Sequence, residues 1–139
     1  MGQSLKIDIP VQISALSDVT TKVEEFCDAA DIPMASAFKV NLVIQELITN
    51  SLNHGDFGDR KPEISLSINC DGRQVEMLFE DNAAPFDPFT ETPPPDLNSD
   101  IGERPIGGLG IHLIRTFSDQ SSHEHIDGKN RIRLISPVE

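Results

Sequence analysis

Two runs of alternating apolar and polar residues, one on each side of Asp71-Gly72, constrain the fold of this chain most strongly. Residues 64–70 carry an apolar side chain at every second position, and residues 75–79 do the same. Asp-Gly favours a tight hairpin turn, because glycine adopts positive φ at little steric cost. The pattern therefore predicts two adjacent antiparallel strands that place one face against a hydrophobic core.

Three more strands are predicted near the two ends of the chain. Alternation from Leu5 to Ile13 indicates a half-buried first strand. Shorter runs at 121–126 and 131–136, with Gly128 near the turn between them, indicate a final pair. Strand pairs joined by hairpins predict a mixed, mainly antiparallel sheet.

Helices are predicted between these strands. Ser17 is a residue type that caps helix N-termini, and the first predicted helix covers about 17–30. The second covers about 34–52 and has Gly55 as its C-cap, and a third covers 109–117. With its helices packed on one face of the sheet, the chain is predicted to have an α/β fold, a two-layer α+β sandwich.

Length, composition and charge narrow the class of protein. A chain of 139 residues fits one domain, 1–139, and no apolar stretch long enough for a membrane span or a signal peptide occurs. Cys27 and Cys70 lie in apolar contexts, as expected of buried thiols in the cytoplasm. The net charge of −12 argues against direct nucleic-acid binding, and it suits either a basic protein partner or simple solubility.

A polar ridge on the second predicted helix carries candidate chemistry. Glu46, Asn50 and His54 step by four residues on the side opposite the apolar stripe. A carboxylate one turn from an amide oxygen can hold a water and a Mg²⁺ ion, with Glu46 as a base and Asn50 as a neutral oxygen ligand. The alternative is that both are solvent-facing polar residues of an ordinary helix.

Two further segments add a site for an adenine and for phosphates. Asp81 ends a strand, where its carboxylate can accept a hydrogen bond from an exocyclic amine or can form an Asx-turn. The Gly107–Gly110 turn opens a predicted helix, and its backbone amides can approach an anion, unless the turn is only a hinge. Neither the Walker A nor the dinucleotide-binding spacing is present.

Between these segments, the periodic pattern stops from Ala83 to Ile106, where six of the ten prolines fall. A loop of this length inside a compact domain is usually functional or disordered.

The segments 45–55, 80–87 and 107–114, taken in this order, resemble the N, G1 and G2 boxes of the GHKL ATP-binding superfamily, which has a Bergerat-type fold. The E-L-I-T-N-S-L-N-H-G and G-G-L-G-I-H-L-I runs are most similar to bacterial anti-sigma factor serine/threonine kinases of the RsbW and SpoIIAB type. The resemblance covers nearly the whole chain, and its strongest parts are the N and G2 boxes.

The resemblance implies a role for each matching residue. Glu46 matches the general base, Asn50 the Mg²⁺ ligand and Asp81 the adenine-binding aspartate. The Pro-rich segment at about 86–106 matches the ATP lid, and Arg104 within it either pairs with the γ-phosphate or a partner or is an exposed charge. The remaining residues implied to contact ATP are Phe86, Gly107, Gly108, Leu109 and Gly110.

One departure from the family pattern lies beside the adenine. The G1 box usually reads D-x-G, whereas here it reads Asp81-Asn82-Ala83. Ala83 has a Cβ and tolerates positive φ poorly. The expected consequence is a reshaped or weaker nucleotide pocket and slower turnover.

The resemblance implies an ATP- and Mg²⁺-dependent regulatory kinase that binds a sigma factor, phosphorylates a STAS-type antagonist on serine, and forms a homodimer. A second hypothesis is a non-catalytic, ATP-gated binding module, which the altered G1 box favours and the presence of Glu46 opposes. A third is a histidine-kinase-like catalytic domain that acts in trans on a phosphoacceptor of another chain.

Overall fold

The computed structural model describes residues 3–10, 12, 14–86 and 120–137, apart from the side chains of Asn53 and His54. The elements within this part are β1 (Gln3–Ile9), α1 (Ala15–Ala29), α2 (Met34–His54), β2 (Ile64–Cys70), β3 (Gln74–Asp81), β4 (Gln120–Ile126) and β5 (Lys129–Pro137). The predicted helix at 109–117 and all of the predicted lid except Phe86 lie outside it.

The five strands form one sheet in the order β1-β2-β3-β5-β4, and every pairing among them is antiparallel. At the β2–β3 turn, Gly72 has φ +90°. The side chain of Asp71 accepts hydrogen bonds from the amides of Gln74 and Arg73, both at 2.9 Å, and these bonds lower the pKa of its carboxyl group. Asp127 and Gly128 both have positive φ at the β4–β5 turn, the geometry that hairpin twist favours. The predicted hairpins are therefore confirmed.

One face of the sheet and the two helices enclose the hydrophobic core. The register places Met77 opposite Ile68 and Phe79 opposite Ile132, so large side chains from neighbouring strands pack together. The other face is polar, and there Arg131 pairs with Glu80 at 3.2 Å. The two-layer α/β architecture is thus confirmed, with both helices of the described ranges on one face of the sheet. The core contains buried residues from every element except β4, among them Val23, Ile44, Leu47, Ile48, Leu66 and Leu134.

The helix boundaries differ from the sequence prediction. Helix α1 begins at Ala15, two residues before the predicted cap Ser17, because the buried Ala15 side chain extends the apolar face of the helix into the core. Helix α2 ends at His54, two residues later than predicted. Gly55 has φ −67°, so it does not form the left-handed cap that glycine usually provides. A Cβ at this position would instead clash with the Ser51 carbonyl oxygen.

Two further sequence expectations concern the cysteine thiols and membrane-spanning helices. Cys27 and Cys70 are buried free thiols, as predicted, and burial raises the pKa of Cys27 to about 11. Neither helix within the described ranges is long and apolar enough to cross a bilayer.

Candidate nucleotide site

The candidate site lies where the C-terminal half of α2 meets the ends of β3 and β5. Asn50 is only 7% exposed, although the sequence placed it on the polar side of the helix. It lines a small cavity together with Phe79 and Ile132 from the sheet. Ala83 and Phe86, which follow β3, complete the wall of this cavity. Asn50 therefore shares a cavity wall with the sheet and with the segment that follows β3.

Glu46 lies one turn before Asn50 and is half-buried. Its Oε1 atom is buried and accepts no hydrogen bond from any described residue. Burial raises the pKa of this carboxyl group to about 7. A carboxyl group that titrates near neutral pH is well matched to proton transfer, since both of its protonation states are accessible.

Asp81 is buried at the end of β3 and is held by three hydrogen bonds. Its Oδ2 atom accepts from Ser51 Oγ at 2.7 Å, which connects the carboxylate to α2. Its Oδ1 atom accepts from Asn130 Nδ2 at 2.9 Å and from the Ala83 amide at 3.2 Å. A carboxylate has about four lone-pair sites, so one on Oδ2 stays available to a ligand.

Asn130 on β5 is a site residue that the sequence analysis missed. Its Nδ2 atom donates to Asp81 and also to the carbonyl oxygens of Ala83 and Ala84, at 3.3 and 2.9 Å. Its Oδ1 atom accepts from the Phe86 amide at 3.0 Å and contacts His123 Nε2 at 2.8 Å, which places a proton on that nitrogen. The sequence contains one signal that could have identified this residue. Asn130 is polar, yet it occupies an inward-facing position of a strand in which apolar and polar residues alternate.

The segment after β3 is also held from its other side. Asn82 Oδ1 accepts from the Glu63 amide at 2.8 Å, and Asn82 Nδ2 donates to the Lys61 carbonyl oxygen at 2.8 Å. The Ala84 amide donates to the Asp56 carbonyl oxygen at 2.7 Å. Together with Asn130, these bonds fix the backbone path from the end of β3 to Phe86.

Ala83 does not have the strained backbone that its sequence context suggested. Among the described non-glycine residues, only Asp31 and Asp127 have positive φ. Ala83 is 1% exposed, and its amide hydrogen bond to Asp81 forms without a left-handed conformation. The departure from D-x-G therefore adds a buried methyl group to the cavity wall and leaves the backbone unstrained.

The cavity shared by Asn50, Asp81 and Phe86 is small, with a volume of about 20 Å³. This volume accommodates roughly one water molecule. A purine base is several times larger, so it enters this space only if Phe86 or the segment preceding it moves.

The residues present fit a magnesium ion that also binds phosphate. Glu46 Oε1 is a buried oxygen without a hydrogen-bond donor among the described residues, so it is available to a Mg²⁺-bound water. Asn50 Nδ2 also has no partner there, but it is a donor that suits a phosphate oxygen, so Asn50 would ligate Mg²⁺ through Oδ1. No three His, Cys, Asp or Glu side chains cluster as a metal site in the described ranges. Mg²⁺ is commonly bound through one or two protein groups, several waters and the substrate phosphates.

The other predicted ATP contacts lie outside the described residues. They are Arg104, Gly107, Gly108, Leu109 and Gly110. Their roles stay predictions, as do those of Glu46, Asn50, Asp81 and Phe86.

Comparison with known proteins supports the family and the fold expected from the sequence. The family model described as the histidine kinase-like ATPase domain matches residues 9–136. The serine/threonine-protein kinase BtrW of Bordetella bronchiseptica is 29% identical over 71% of this chain and 69% of its own length. The anti-sigma F factor of Clostridium novyi is 25% identical over 96% of this chain and 92% of its own.

A solved structure shows the same fold at low sequence identity. The chain containing the RsbU and RsbW domains of Rv1364c from Mycobacterium tuberculosis aligns with a TM-score of 0.67 and 14% identity. The match covers 96% of the present chain and 32% of that longer chain.

Proposed function

We propose, since the chain belongs to the family of histidine kinase-like ATPase domains, that it is an ATP-dependent regulatory serine/threonine protein kinase. In this proposal it binds a sigma factor and phosphorylates a STAS-type antagonist of that interaction on serine. The observation that carries the proposal is the half-buried Glu46 carboxyl group, one turn before the buried Asn50, which lines a cavity together with Asp81.

Adenine recognition rests on the remaining lone pair of Asp81 Oδ2. The exocyclic amine of adenine donates to this position, whereas the carbonyl of guanine cannot. Ser51 and Asn130 hold the carboxylate in place before the nucleotide arrives, which lowers the entropic cost of binding. Selectivity for ATP over GTP follows from this arrangement.

Phosphate transfer uses Glu46 as the general base. It accepts the proton of the serine hydroxyl group while the serine oxygen bonds to the γ-phosphorus and the bond from that phosphorus to the bridging oxygen of ADP breaks. Asn50 would hold Mg²⁺ through Oδ1, and the ion would supply positive charge to neutralise the phosphates. A pKa of about 7 makes Glu46 a competent base at neutral pH.

The proposed partners rest on resemblance and on charge. The printed names of the relatives, a serine/threonine-protein kinase and an anti-sigma F factor, support both protein phosphorylation and sigma-factor binding. A chain with net charge −12 suits a partner with basic segments, because complementary potentials speed the encounter.

The test compares Glu46→Gln with the wild type. Calorimetry with ATP and Mg²⁺ measures binding, and transfer of radiolabelled γ-phosphate to candidate STAS-domain proteins measures activity. We expect the ATP Kd to change by less than about threefold, while the transfer rate falls by about 10²-fold or more. Glu25→Gln, at an exposed position on α1, is the matched control and is expected to behave as the wild type. Wild-type transfer by Glu46→Gln would remove Glu46 from the base role.

A non-catalytic, ATP-gated binding module is the second candidate. The small cavity beside Phe86 favours it, since nucleotide binding would then require this segment to move. In that case the wild type binds ATP and changes its affinity for a partner, but it transfers no phosphate to any STAS-domain protein. The same two measurements therefore separate the candidates.

A further inference from the structure

The first half of α2 exposes large apolar side chains to solvent. Met34 is 89% exposed and Phe38 is 69% exposed. They are four residues apart, so they lie on the same side of the helix. Within the described ranges, the only other large apolar residue in this state is Ile126 on β4, at 44%. Single exposed apolar residues are common, whereas adjacent ones bordering a groove indicate an interaction surface.

A groove of about 340 Å³ lies between α1 and α2 beside these side chains; we call it the helix groove. Ala37 and Leu42 contribute apolar surface to its walls. A hydrogen bond of 3.3 Å from Gln45 Nε2 to Thr20 Oγ1 connects the two helices. From Met34 to Gln45 the groove runs along about 16 Å of helix, which equals the length of about three turns of a bound helix.

A buried polar atom in the helix groove lacks a partner. Asn41 contributes to the groove wall and is 7% exposed, yet its Oδ1 atom accepts no hydrogen bond from the described residues. A buried carbonyl oxygen without a donor costs about 1–3 kcal/mol, so folded proteins rarely leave one unsatisfied. A hydrogen-bond donor brought by a binding partner would satisfy this atom once the Asn41 amide turns from its buried position toward the groove.

The charge around the helix groove selects the kind of partner. Glu24 lines the groove, and Glu25 and Asp28 follow it at exposed positions of α1. Lys22 is the single basic residue of α1. Because the whole chain has net charge −12, a second copy would place acidic surface against acidic surface. Apolar side chains flanked by lysine or arginine complement this surface.

We propose that the helix groove binds a basic, amphipathic helical segment of another protein. The apolar side of that segment packs on Met34 and Phe38, a side-chain donor reaches Asn41 Oδ1, and a lysine or arginine lies beside Glu24. Asn41 and Asn50 are nine residues, or about two and a half turns, apart, so the groove and the nucleotide site lie on opposite sides of α2. The docking surface rests on the partner-binding part of the proposed function, to which it gives a location, and it does not depend on nucleotide chemistry.

The test selects ligands for the intact chain from a phage-displayed library of 14-residue peptides. We expect the enriched peptides to combine apolar residues at helical spacing with lysine or arginine. A synthesised enriched peptide should bind with 1:1 stoichiometry, and its Kd should rise at least about tenfold in Phe38→Ala and in Met34→Ala. Glu24→Gln should weaken binding and reduce its dependence on salt, since the lost contact is between charges.

Two control variants show whether peptide binding belongs to the helix groove. Ile126→Ala removes exposed apolar surface on β4 and should leave the peptide Kd unchanged. Glu46→Gln should also leave it unchanged, so failure of the kinase proposal and failure of this one are distinguishable. The proposal is overturned if no peptide is enriched, if enriched peptides bind Phe38→Ala as tightly as the wild type, or if sedimentation shows a dimer that Phe38→Ala dissociates. The last result would assign the groove to a second copy of this chain.

Discussion

Asn130 on β5 lies directly opposite Asp81 on β3, and its Nδ2 atom donates a 2.9 Å hydrogen bond to Asp81 Oδ1. The same amide group also bonds to the backbone at Ala83, Ala84 and Phe86. A single buried side chain therefore orients the proposed adenine-binding carboxylate and also shapes the segment that covers the cavity. The sheet register makes this arrangement possible, because it brings the two side chains to the same face.

Asn130→Ala tests this linkage. The substitution leaves several buried polar groups without partners, and we expect it to lower the free energy of unfolding by about 1–3 kcal/mol. ATP affinity should fall as well, since Asp81 loses an orienting bond. Urea denaturation and calorimetry measure the two effects. Asn69→Ala, at an exposed position on β2, provides the matched control, and equal results for the two variants would contradict the assigned role.

Asp81→Asn tests base recognition while preserving the fold. The new amide oxygen can still accept from Asn130 and Ala83, and the amide nitrogen can donate to Ser51 Oγ, whose hydroxyl group both donates and accepts. We expect the melting temperature to change little, ATP binding to weaken, and GTP binding to be unaffected or favoured. Calorimetric titration with each nucleotide measures this. Unchanged ATP affinity would remove Asp81 from the adenine site.

Ala83→Gly restores the residue usual in the family pattern. Since Ala83 adopts no left-handed backbone conformation, glycine relieves no strain there. We expect a loss of about 0.5–1 kcal/mol in the free energy of unfolding, because glycine increases the entropy of the unfolded chain. ATP affinity should stay within about twofold of the wild type. A large gain in ATP affinity would show instead that the Ala83 methyl group obstructs the pocket.

The stability of the free protein should depend on pH through Glu46. Burial raises the pKa of Glu46 to about 7 from its ordinary value of 4.5, so the folded state favours the protonated form. The stability that the protonated Glu46 side chain gives to the folded state is fully present below about pH 4.5, and it is lost as the pH rises through about 7. Glu46→Gln imitates the protonated form. The free energy of unfolding of this variant should therefore equal that of the wild type at pH 4.5 and exceed it at pH 8. Urea denaturation without nucleotide measures both values.

The same comparison with Glu25→Gln on the exposed side of α1 corrects for the change in net charge. A Glu46→Gln stability difference that does not vary with pH would contradict the assigned burial of the Glu46 carboxyl group.

The elements with local signals could be predicted from the amino-acid order. Alternation around Asp71-Gly72 was sufficient for the β2–β3 hairpin, and the apolar stripe of α2 was sufficient for the helix, since each signal lies within a few consecutive residues. Family membership also followed from short motifs, because the N, G1 and G2 boxes are contiguous segments. Boundaries were less certain, as the early start of α1 at Ala15 shows.

The contacts between these elements could be read only from the tertiary structure. Asn50 lines its cavity together with Ala83 and Phe86, which lie more than thirty residues further along the chain. The bond between Asn130 and Asp81 joins residues 49 positions apart and depends on the β3–β5 register. The helix groove likewise requires α1 and α2 to pack side by side. Local patterns carry no information about such distant contacts, because the packing of the whole core sets the register and selects the partners.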